Sequence, residues 1–84
     1  MKRKVYRVVC FAPGGNIAAE RYGWGSALSA IPEIIRENFD GTWYERVARW
    51  EKIGSRHVGG ASQWINDEGE TLNFSIYYFE VQNV

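Results

Sequence analysis

The chain has 84 residues, which leaves room for one hydrophobic core and excludes a second. Ten Lys plus Arg balance ten Asp plus Glu, so no global field draws the chain to polyanions, and long-range capture of nucleic acid is not the default expectation. A hydrophobic fraction of 45% and an aromatic fraction of 15%, with four Trp and five Tyr, exclude disorder and fit a small fold that leans on large side chains.

Near-zero net charge gives little repulsion between copies, so a homodimer is an expectation to test. Cys10 is the only cysteine; no intramolecular disulfide can form, and a reducing, cytoplasmic setting follows as the expectation. The basic start Met1-Lys2-Arg3-Lys4 is followed by an apolar stretch broken by Arg7 and Pro13-Gly14-Gly15, which reads as a strand rather than a leader. No segment approaches the roughly 18 apolar residues that a membrane span requires.

Val5 to Ala12 is rich in β-branched and aromatic residues, with Val5, Arg7, Val9 and Phe11 on one face and Tyr6, Val8, Cys10 and Ala12 on the other. Both faces are largely apolar, which predicts a central strand covered on each side, with Arg7 near an end. Pro13-Gly14-Gly15-Asn16 predicts a reversal into a second strand from Ile17 to Trp24.

Leu28, Ile31, Ile35 and Phe39 then recur at helical spacing, which predicts an amphipathic helix over 26–39. Ser26 and Ser29 both qualify as caps. Ser29 would place Pro32 harmlessly in the first turn, whereas Ser26 would put it inside the helix; Glu33 is expected near the positive helix end, and Asp40-Gly41 as the stop. Segment 43–53 fits two assignments. Thr42-Trp43-Tyr44-Glu45 matches a capping box and Trp43, Val47 and Trp50 have helical spacing, so a second helix is one; a strand beside the C-terminal hairpin is the other and is preferred. Asn66-Asp67-Glu68-Gly69 predicts the turn of that hairpin, and Gly59-Gly60 a bulge or bend before it. The expected fold is α+β: a single domain over 1–84 in ββαβββ order, with a mostly antiparallel sheet and one helix packed on it.

Catalytic apparatus is sparse. His57 has no acid or nucleophile placed beside it by spacing, and Cys10 lies mid-strand between Val9 and Phe11, an inert setting for a thiol. One Cys and one His do not make a structural zinc site, Asp67, Glu68 and Glu70 read as a solvated turn, and the glycine pairs lack the phosphate-loop context. No catalytic, cofactor or metal residue is therefore assigned. Asn73-Phe74-Ser75 fits the glycosylation triplet but falls inside a predicted strand.

Tyr44, Arg46, Arg49 and Trp50, with Trp24, are the densest supply of interface hot-spot types, which points to a protein partner. The expected function is a non-enzymatic protein-binding module, a small inhibitor or adaptor of the kind that phages and other mobile elements encode. The alternative is a nucleic-acid-binding domain that uses Lys2, Arg3, Lys4, Tyr6 and Arg7 on the sheet, with Arg46, Arg49, Lys52 and Arg56 as a second basic run. Glu45 and Glu51 inside that second run, together with zero net charge, weigh against it.

Overall fold

The computed structural model describes residues 2–82; Met1, the first residue of the basic start, lies outside them. The order is β1 (Lys2–Ala12), β2 (Gly15–Arg21), α1 (Trp24–Asn38), β3 (Trp43–Ile53), β4 (Arg56–Asn66) and β5 (Thr71–Gln82). All neighbouring strands pair antiparallel, and the sheet runs β2-β1-β5-β4-β3. The expected α+β fold in ββαβββ order is thus what the chain forms.

Three tight reversals set this topology. Ala12 pairs with Gly15, so Pro13-Gly14 alone makes the first hairpin, and Gly15 enters β2 at φ 129°, a conformation costly for any side chain. Gly54 at φ 64° opens the turn between β3 and β4. In the third, the Asn66 carboxamide oxygen accepts from the backbone N–H of Glu68 at 3.0 Å and of Glu70 at 2.9 Å, and its amide donates to the Glu70 carboxylate.

The core lies between α1 and one face of the sheet. Ala27, Ala30, Ile31, Ile34 and Ile35 of α1 meet Tyr6, Val8 and Cys10 of β1 and Leu72, Phe74 and Ile76 of β5. All four Trp residues pack against this cluster, each only partly buried, as large indoles in a small core must be. Arg21 on β2 donates to the Glu33 carboxylate at 3.0 Å, which ties the edge hairpin to the helix.

Segment 43–53 is the preferred strand and not the alternative second helix: its backbone pairs with β4 from Trp43↔Asn66 to Ile53↔Arg56, and Trp43, Tyr44 and Glu45 are extended. Other expectations need correction. The helix begins at Trp24 and ends at Asn38, rather than spanning 26–39. Its N-cap is Gly23 with no side-chain cap, so neither Ser26 nor Ser29 serves, and Pro32 stands inside the helix. Burial of Ala27, Ala30 and Ile31, in the turns that precede Pro32, outweighs the hydrogen bond lost there and the local preference for a later start. Glu33 is consequently in the body of the helix, where it serves Arg21 instead of the dipole. Phe39, extended at φ −135°, caps the C-terminus, and Gly41 at φ 85° turns the chain beyond it.

The last correction bears on function. β1 was expected to be covered on both faces, yet α1 lies over β1 and β2 on one face only. On the other, Phe11 remains 42% exposed, and Arg7 stands mid-strand rather than at an end, held to Glu20 at 2.9 Å.

Candidate interaction face

The open face of the sheet is built from the residues that alternate with the core. On β1 it carries Val5, Arg7, Val9 and Phe11, and on β5 Asn73, Ser75, Tyr77 and Phe79, which pair with them directly. β4 adds Gly59, Ala61 and Gln63, β3 adds Val47, Arg49 and Glu51, and β2 adds Asn16, Ala18 and Glu20. Phe11, Tyr77, Val47 and Tyr44 are all exposed. Small residues occupy the middle, so the surface dips between Tyr77 and the β3 edge into a depression of about 500 Å³ lined by Arg49, Glu51, Ala61 and Tyr77.

Gly59 and Gly60 maintain this dip. They adopt φ of 131° and 137°, and a Cβ would stand 2.2 Å from the Ile76 carbonyl oxygen at Gly59 and 2.0 Å from that of Arg49 at Gly60. Only glycine lets the three backbones approach this closely. The register between β3 and β4 shifts beside this point, because Glu51 pairs with Gly59 but Lys52 with His57; the extra residue of the bulge is Val58, immediately before the expected Gly59-Gly60, which are both paired. A second shift between Glu45 and Val47 makes Arg46 the extra residue on β3. Its guanidinium donates at 3.4 Å to the Gln63 carboxamide, whose residue belongs to the open face.

The five interface candidates separate into two groups. Tyr44, Arg46 and Arg49 are exposed, on or beside the open face, and Arg49 has no ion-pair partner among the described residues. Trp50 and Trp24 lie on the opposite side: they meet edge to face at 5.4 Å, and Trp24 also contacts Tyr6 and stacks on His57 at 4.6 Å. Their place is the end of the core beside the helix N-terminus.

The basic strip of the nucleic-acid alternative is dispersed. Tyr6 is buried, donating its hydroxyl proton to the His57 carbonyl at 2.8 Å. Lys2 faces Glu80 at 3.8 Å, Arg3 lies over the Tyr22 ring, and Arg7 is shared between Glu20 and the Phe79 ring. Lys4 is exposed and pairs in register with Glu80. Arg56 lies over the Tyr78 ring, whose hydroxyl donates to the Glu80 carboxylate; desolvation, then that bond, push the phenol above its ordinary pKa.

Cys10 is fully buried, and desolvation raises its thiol pKa, the reverse of what a nucleophile requires. Its neighbours across the strands are Ile17 and Phe74, with His57 at the far end of the Trp24 cluster. Among the described residues no group of three or more His, Cys, Asp or Glu is placed to hold a metal ion, and no helix is long and apolar enough to cross a membrane.

The residues that sequence patterning did not single out are Phe11, Val47, Glu51 and Tyr77. The signal for the first was present in the two-sided apolar pattern of β1, which implied a cover on both faces while the described residues supply one. Comparison with protein-family models, with curated proteins and with solved structures finds no match for this chain.

Proposed function

We propose that the chain is a non-enzymatic protein-binding module, a small inhibitor or adaptor, whose binding surface is the open face of the sheet. The observation that supports this most is that Phe11, Val47 and Tyr77 stand exposed beside Arg49 and Tyr44 on a face over which no element among the described residues lies. Aromatic and arginine side chains around a shallow depression are the composition of interface hot spots. A monomeric soluble domain rarely leaves such a patch without use. A reducing, cytoplasmic setting belongs to the same proposal, supported by the lone cysteine, which is buried.

The test is alanine substitution at Tyr77 and Arg49, measured by calorimetric titration against a partner recovered from the source cells. Each variant should weaken binding by about 1 to 4 kcal/mol while circular dichroism stays native. Unchanged affinity at both positions would remove the open face from the function.

A further inference from the structure

We propose that one partner of the open face is a second copy of this chain, packed sheet against sheet about a two-fold axis. The proposal rests on that face being a protein-binding surface, and its support is the register of the five strands. Glu20, Arg7, Tyr77, Gly59 and Glu51 stand side by side across the sheet, and the next row on the same face is Ala18, Val9, Ser75, Ala61 and Arg49. An axis between these rows, parallel to the sheet and perpendicular to the strands, lays each row on the other row of the second copy.

The pairings on β3, β4 and the middle of β5 are complementary. Arg49 meets Glu51 of the second copy, and symmetry repeats the contact; neither side chain has an ion-pair partner within the described residues of its own chain. Tyr77 comes over Ser75, large upon small, and Gly59 over Ala61. Arg7 comes over Val9 and keeps its own Glu20. One row further out, exposed Val47 meets exposed Ile53, while exposed Phe11 lies over the row position of Val5, which is itself only 2% exposed. No like charges oppose each other. The other two-fold within the sheet plane, parallel to β5, would set Glu51 on Glu20, so the charges select between the two.

Size and charge agree with this arrangement. The molecule measures 46 × 26 × 17 Å, and its broad side is large enough for the roughly 800 Å² per partner of a standard stable interface. Sheets packed in this way lie about 10 Å apart with strands within about 30° of alignment, which the small central residues permit. Zero net charge leaves no long-range repulsion between copies. Edge-to-edge pairing through β3 is disfavoured by comparison, because the bulge at Arg46 and the charges of Glu45, Arg49, Glu51 and Lys52 on both faces interrupt that edge.

The experiment is sedimentation equilibrium of the full chain and of Arg49→Glu, Glu51→Arg and the double exchange, with circular dichroism to confirm folding. The native chain should sediment at about twice its 9.7 kDa mass at concentrations near 100 µM. Each single exchange sets like charges against each other at two symmetric contacts and should weaken the dimer about tenfold or more, while the double exchange restores it. A native chain that stays monomeric, or a dimer indifferent to the single exchanges, would overturn the self-pairing. A monomer that nonetheless loses a different protein partner on Tyr77→Ala would overturn it while leaving the protein-binding proposal standing.

Discussion

Trp24 and His57 stack face to face, their ring centroids 4.6 Å apart and their planes within 2° of parallel. Trp24 is the first residue of α1 and His57 the second of β4, so this contact joins the start of the helix to the far half of the sheet. Tyr6 and Trp50 meet Trp24 edge to face at 5.5 Å and 5.4 Å, which makes Trp24 the centre of the cluster. Trp24→Ala should cost about 3 kcal/mol in urea denaturation, and His57→Ala, which removes one aromatic contact and keeps the backbone carbonyl that Tyr6 uses, about 1 kcal/mol. Equal losses at the two positions would contradict the central role of Trp24.

The glycines of β4 should be far less replaceable than those elsewhere. Gly59→Ala or Gly60→Ala drives a Cβ into a neighbouring carbonyl at a φ that L-residues avoid, and each should cost about 3 kcal/mol or more. Gly25→Ala meets nothing within 4 Å and lies in the helix, so it should be neutral or stabilising by about 0.5 kcal/mol. Thermal melts of the three variants check the contrast, and a stable Gly60→Ala protein would refute the close approach of β3 and β4.

Much of this architecture was legible from local patterns, and the exceptions share one cause. Strand alternation and turn residues located both outer hairpins and the helix, because Pro13-Gly14 and Asn66 act through neighbours in sequence. The helix start was misplaced because Trp24 is held there by Tyr6, Trp50 and His57, contacts that no local pattern encodes. For the same reason Trp50 was grouped with Tyr44, Arg46 and Arg49. Adjacent residues of a strand point to opposite faces, and the bulge at Arg46 shifts the alternation within that run.

The buried thiol makes a test of pH dependence. Desolvation holds the folded-state pKa of Cys10 above its ordinary value of 9.0, so the folded chain retains the proton after the unfolded chain has begun to lose it. The resulting stability is complete below pH 9.0 and is lost as pH rises through the raised folded value. As pH rises through and above 9.0, native stability should therefore fall more steeply than that of Cys10→Ala, which removes this group alone from the alkaline titration. Parallel pH profiles for the two proteins would contradict a desolvated thiol, as would rapid labelling of the native protein near neutral pH.

Nucleic acid should bind weakly. With Lys2, Arg3 and Arg7 already engaged and Tyr6 buried, no oligonucleotide complex tighter than about 10 µM is expected at physiological salt. Fluorescence anisotropy with single-stranded DNA and RNA across a salt series checks this. A sub-micromolar complex whose affinity falls steeply with salt would favour the nucleic-acid alternative, since counterion release from several phosphates produces that slope.

The most direct measurement places a photo-crosslinking phenylalanine analogue at one position on each side of the molecule and irradiates the chain in its source cells. Tyr77 marks the open face, and Glu37, exposed on α1, marks the covered side. Crosslinked protein adducts should form from position 77, including adducts to a second copy of the chain, and position 37 should give few or none. Adducts from position 37 with none from position 77 would contradict a binding surface on the open face of the sheet.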